Sequence, residues 1–127
     1  QLFILDIGLL CAMSELDAKT ILDENNLFVE FKGALTEQYV LQQLICDTNY
    51  TPYYFGTDKA TFEQDFLIQK ENEIIPIEVK ASTNVRSQSL KTFSEKYKPK
   101  LSVRFSLLPY CDQTWMINIP LFAVCNL

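Results

Sequence analysis

Phe62-Glu63-Gln64-Asp65-Phe66-Leu67-Ile68 and Ile74-Ile75-Pro76-Ile77-Glu78-Val79-Lys80 decide how this chain folds. Both read as strands, and the few residues between them make them a hairpin. Each carries charge inside an apolar run. Burying a charge without a partner is costly. Asp65, Glu78 and Lys80 therefore suggest a site that holds a cation and does chemistry.

A two-residue turn at Glu71-Asn72 sets Asp65 opposite Glu78, Leu67 opposite Pro76, and Glu63 opposite Lys80. Side chains alternate faces along a strand, so Glu63, Asp65, Glu78, Lys80 and Ser82 share one face. Pro76 fits this register: opposite Leu67 it falls in a non-hydrogen-bonded pair, where its missing N–H costs nothing toward that partner. Glu71 is a poor residue for the first position of such a turn. Like charges directly opposite each other destabilise a sheet, which leaves three readings. One carboxyl is protonated, Lys80 neutralises the pair as a structural ion pair, or a divalent cation sits between them.

Outward from the hairpin, residues 30–47 have helical spacing, with Ala34, Leu41 and Leu44 recurring and Leu35 and Ile45 widening the stripe. Glu37 falls in that inward stripe, where an acid adds to the Asp65 and Glu78 pair. Asp6 is a candidate cap for a short helix ending at Met13, and residues 14–26 read as a surface connection. Residues 53–55 read as a strand and 58–61 as a turn, and the two hairpin strands span 62–69 and 74–82. Residues 87–97 form an amphipathic helix with Leu90 and Phe93 inward, stopped before Pro99. Residues 101–107 alternate as a strand, with Leu101, Val103, Phe105 and Leu107 on one face. Residues 115–119 read as a last strand and 120–124 as an apolar tail. Helix, three strands, helix, strand implies an α/β sandwich around a mixed β-sheet flanked by helices.

The 127 residues suit one domain. There is no histidine, which excludes Ser-His-Asp triads and imidazole ligands. A metal site here is oxygen-only and favours Mg²⁺, Mn²⁺ or Ca²⁺. Cys11, Cys46, Cys111 and Cys125 form no Cys-x-x-Cys pair and read as buried, reduced cytosolic thiols rather than a zinc ribbon. No apolar run reaches the roughly 20 residues of a membrane span. The net charge of −5 argues against a nucleic-acid partner, but residues 79–104 hold seven basic side chains and one acidic against four and fifteen elsewhere. That basic stretch is either a phosphate-binding surface or a solvated helix face.

Asp65 followed by Glu78-Val79-Lys80, with Glu37 on an upstream helix, resembles the PD-(D/E)xK nuclease-like superfamily. A fuller resemblance runs through Phe3-Ile4-Leu5-Asp6-Ile7-Gly8-Leu9-Leu10, Gly33-Ala34-Leu35-Thr36-Glu37, Glu63-Gln64-Asp65-Phe66, Ile75-Pro76-Ile77-Glu78-Val79-Lys80, Ser89-Leu90-Lys91 and Ile119-Pro120-Leu121. In this order the set is similar to the uncharacterised domain C-terminal to AAA-type ATPases of bacteria and archaea. Gln64 departs from the small apolar residue or proline that these patterns place before the aspartate.

The resemblance implies a restriction-endonuclease-like core in a cytoplasmic protein, with an ATPase module upstream in the same chain. No G-x-x-x-x-G-K-[ST] occurs here, so any ATP would bind in that module. The resemblance also implies that Asp65 and Glu78 hold Mg²⁺ or Mn²⁺ with help from the Val79 carbonyl. Glu37 would serve a second ion or a ligand water, and Lys80 the attacking water or the transition state. Ser89 and Lys91 become possible phosphate contacts, or else simply a helix start and a surface lysine. DNA cleavage is the activity implied. A catalytically silent interaction or regulatory module of the ATPase is the alternative.

Overall fold

The computed structural model describes residues 2–15, 29–56, 63–83 and 85–127. The elements are α1 (Ile7–Met13), α2 (Val29–Asp47), β1 (Tyr53–Gly56), β2 (Glu63–Lys70), β3 (Glu73–Val79), α3 (Gln88–Tyr97), β4 (Val103–Ser106), β5 (Cys111–Asp112) and β6 (Ile117–Pro120), followed by a 3₁₀ segment (Leu121–Asn126). The strands form one sheet in the order β1-β2-β3-β4-β6-β5. The first three strands are an antiparallel meander; β3, β4 and β6 run parallel, and β5 returns antiparallel on β6. This is the expected mixed sheet flanked by helices. The expected connection at 14–26 and turn at 58–61 lie mostly or wholly outside the described residues.

The hairpin has the register deduced from its turn, with Leu67 opposite Pro76 and Phe66 opposite Ile77. Pro76 is buried in a central strand. Pairing of β3 with β4 begins only at Ile77 with Val103, so no ladder bond on that side requires a Pro76 N–H. Glu71 opens the turn at φ 55°, a left-handed conformation that a glutamate adopts at a cost of roughly 1–2 kcal/mol.

Phe66 and Ile68 of β2, Ile75, Ile77 and Val79 of β3, and Val103 and Phe105 of β4 line one face of the sheet. They form the core with Val40 and Leu44 of α2 and Val124 of the 3₁₀ segment. The inward face of α2 differs from the stripe expected. Leu35, Gln38, Val40 and Leu44 are buried, whereas Ala34 and Ile45 are exposed. Gln38 replaces an apolar residue because its amide bonds the Ile4 backbone both ways, accepting from N at 2.8 Å and donating to O at 2.6 Å. Asp6 caps α1 as expected, accepting from Leu9 N at 2.9 Å.

The other face is covered by α3, whose Leu90 and Phe93 point inward as expected. Phe93 meets Phe55 edge-on, with centroids 5.5 Å apart, and Ser94 Oγ lies 2.7 Å from Ser102 Oγ. β4 is buried along its whole length, so it is a central strand with two covered faces rather than a half-exposed alternating one. Trp115 precedes the last strand instead of opening it, and β5 was not legible as a strand. The four cysteines are free, but Cys46, Cys111 and Cys125 are exposed and Cys11 only half-buried, which corrects the expectation of buried thiols.

Candidate functional site

Neighbouring strands bring together residues far apart in the chain. Glu78 is the register partner of Arg104, and Arg104 of Asn118. The hairpin ladder ends at Phe66 with Ile77; just beyond it Asp65 bonds Val79 N–H, close enough to Glu78 for the two charges to act on each other. A buried polar row, Glu78, Arg104 and Asn118, therefore crosses three strands on the α3 side of the sheet, with Asp65 at its end on the β2 side.

The β2–β3 ladder gives way at Asp65. Val79 N–H donates to Asp65 Oδ2 at 2.7 Å, so a side chain takes the place of a strand carbonyl. The β1–β2 register shifts at the same point: Tyr53 pairs with Leu67 and Phe55 with Gln64. Asp65 and Phe66 together thus oppose Tyr54 alone. Such a bulge re-aims a side chain and is over-represented beside active sites. Burial pushes the Asp65 carboxyl up to about 7; the Val79 N–H opposes this, Glu37 adds to it, Lys80 opposes it and Glu78 adds to it.

Glu78 is 5% exposed. Its Oε1 meets Lys80 Nζ at 3.1 Å, while its buried Oε2 has no hydrogen-bond partner. An orphaned buried carboxylate oxygen is expensive, and a cation or a proton relieves it. Lys80 lies just past the end of β3 and is fixed there by its own N–H donating to Phe105 O at 2.8 Å.

Arg104 is 4% exposed. It donates from Nε to Asn118 Oδ1 at 2.8 Å and from Nη1 to Ser87 Oγ at 3.1 Å. Asn118 also accepts from Ser106 Oγ at 2.7 Å and donates to the carbonyls of Leu108 and Pro109. Burial pulls the Arg104 pKa down, and the nearby Glu78 charge pulls it back up. Arg104 belongs to the basic stretch in sequence, but in the fold it is an interior cation beside Glu78; its signal is that it sets a charge within the apolar alternation of residues 101–107.

The structure thus gathers Asp65, Glu78 and Lys80, with Glu37 of α2 near enough to act on Asp65. It does not bring Glu63 to Lys80: Glu63 is exposed and pairs with Gly56 of β1. Lys91 is paired with Glu95 at 3.9 Å, and Ser89 is half-buried in the first turn of α3. Among the described residues no three carboxylates lie close enough to form a ready-made metal cage. Mg²⁺ does not need one, since it commonly takes one or two carboxylates and completes its shell with water and substrate phosphate. The orphaned Glu78 oxygen beside Asp65 fits that pattern. A cavity of about 830 Å³ is apolar, lies among Leu108, Ile117 and Phe122, and contains none of these carboxylates.

Residues 32–122 match the family model described as Domain of unknown function (DUF4143). The chain belongs to this family. No match was found among curated proteins or among solved structures. The DUF4143 match spans α2 through the start of the 3₁₀ segment and so contains every candidate site residue. No described helix of this DUF4143 domain is long and apolar enough to cross a membrane.

Proposed function

We propose that this DUF4143 domain is a nuclease-like module with a Mg²⁺- or Mn²⁺-dependent site for phosphodiester hydrolysis in DNA. The observation that carries the reading is the buried, partnerless Oε2 of Glu78 beside the raised carboxyl of Asp65. A helix, a three-strand meander, a helix and a parallel strand also support a restriction-endonuclease-like core. DUF4143 domains commonly occur with AAA-type ATPases, which supports an upstream ATPase module as the partner.

Asp65 and Glu78 would hold the ion, and Glu37 would bias its outer shell. The ion would offset phosphate charge and make water a better nucleophile, so no histidine is required. Asp65 must lose its proton before it binds a cation. Lys80, anchored through β4, is placed to orient the attacking water or to offset charge developing on the phosphate.

The test is cleavage of a labelled DNA by the full-length protein with Mg²⁺ or Mn²⁺. Lys80→Ala and Asp65→Ala should each lower the rate at least about a hundredfold. Unchanged cleavage by either variant would sink the reading. The Lys80–Glu78 ion pair favours a second reading, a catalytically silent module in which Lys80 has replaced the metal. Mn²⁺ separates the two: a metal site raises the melting temperature through linkage, and Asp65→Asn abolishes the rise.

A further inference from the structure

β2 carries Asp65 in the middle of the site, with β3 on one side supplying Lys80 and β1 on the other. The β1 residue opposite the bulge at Asp65 is Tyr54. Its placement is constrained from below. A Cβ built on Gly56 would lie 3.1 Å from Tyr54 Cε1 and 3.3 Å from its hydroxyl oxygen. The ring therefore lies over Gly56, in space that a larger residue would fill. Gly56 is the register partner of Glu63, which puts the hydroxyl beside that carboxylate. Tyr54 donates a hydrogen bond to Glu63; this bond, then burial, then the charges of Glu63, Asp65 and Glu37 raise its pKa. The phenol stays protonated and remains a donor. Half of the side chain still faces solvent, with Tyr54 50% exposed.

A phosphodiester seated over Asp65 would thus have donors on both flanks. Lys80 supplies one from β3 and Tyr54 the other from β1. Glu63 keeps the phenol O–H aligned, and a phosphate oxygen seated beside it would take over that bond, a charge-assisted one in either case.

We propose that Tyr54 is a substrate-binding residue of this site, its hydroxyl donating to a phosphate oxygen of a nucleic-acid strand laid across Asp65. The proposal rests on the metal-dependent reading given above. No sequence signal pointed to Tyr54, because the bulge that sets it opposite Asp65 comes from the pairing of two strands.

The test is fluorescence anisotropy of a labelled oligonucleotide with Ca²⁺ in place of Mg²⁺, alongside thermal melts with and without Mn²⁺. Tyr54→Phe keeps the ring and removes only the donor. It should weaken oligonucleotide binding about tenfold, as loss of a hydrogen bond to a charged group does, and keep the Mn²⁺-induced rise in melting temperature. Gly56→Val, on an exposed edge strand, should displace the ring and weaken binding similarly. Wild-type affinity in Tyr54→Phe, with the Mn²⁺ response intact, overturns the role of Tyr54 and leaves the metal site standing. A wild-type protein that neither responds to Mn²⁺ nor binds the oligonucleotide overturns both.

Discussion

Asp65 sets the working pH of the candidate site. Burial raises its carboxyl to about 7, against the single Val79 N–H that favours the ionised form. A carboxyl raised on folding binds its proton more tightly in the native state than in the unfolded chain. Its contribution to stability is therefore complete below the unfolded value of 3.8 and is lost as pH climbs to about 7. Asp65→Asn keeps an oxygen for the Val79 N–H and carries no charge to bury. In metal-free buffer it should stabilise the protein at pH 8 by on the order of 2–4 kcal/mol, with the gain fading toward pH 4. Urea denaturation across that range checks the sign. Mn²⁺ should shrink the gain by stabilising the ionised wild-type site while leaving the variant unmoved. A variant equal to wild type at pH 8 without metal would show that burial does not govern Asp65.

At the scale of elements, the site depends on α3 being tied to the sheet. Arg104 joins Ser87, just before α3, to Asn118 on β6 while standing next to Glu78 on β3. Arg104→Met would remove both bonds and leave Glu78 without its buried neighbouring cation. It should cost about 2–4 kcal/mol, since breaking one member of a buried polar network leaves the others unsatisfied. Arg104→Lys should recover little, because one ammonium cannot reproduce the two-directional fork. Equilibrium denaturation measures both, and a loss below about 0.5 kcal/mol would show that the row is dispensable. The same interaction explains what was hidden in the chain. The hairpin register followed from a two-residue turn and a proline, both local, and the helix spacing of α2 and α3 was equally local. Gln38 and Asn118 satisfy themselves on Ile4 and on the Leu108 and Pro109 carbonyls. No periodicity reveals such distant partners, so Gln38 was passed over for Ala34. Asp65, Glu78 and Lys80 were legible because charge in a strand is locally anomalous. Tyr54 was not, and Arg104, although it too is a charge in an apolar run, is made a neighbour of the site only by the assembled sheet.

Over the whole molecule, charge would limit how the proposed DNA substrate is gripped. The chain carries −5, and the basic stretch at 79–104 presents less to solvent than its composition promised. Arg104 is interior, while Lys80, Lys91 and Lys100 are paired with Glu78, Glu95 and Glu73. Arg86 and Lys98 are exposed, and the exposed Lys96 lies over the Tyr97 ring at 5.1 Å. A domain that offers a DNA backbone so few cations would release few counterions. The logarithm of its DNA affinity should therefore fall against the logarithm of salt concentration with a slope of only about −2 to −3, as for two or three neutralised phosphates. On the proposed reading, binding should depend on Ca²⁺ or Mg²⁺ far more than on salt, because a cation held by Asp65 and Glu78 would be what makes the acidic site attractive to a phosphate. Anisotropy titrations from 50 to 200 mM salt, with and without divalent ion, measure both dependences. A steep slope that persists without divalent ions would move the DNA contact off the carboxylate site and onto a basic surface elsewhere.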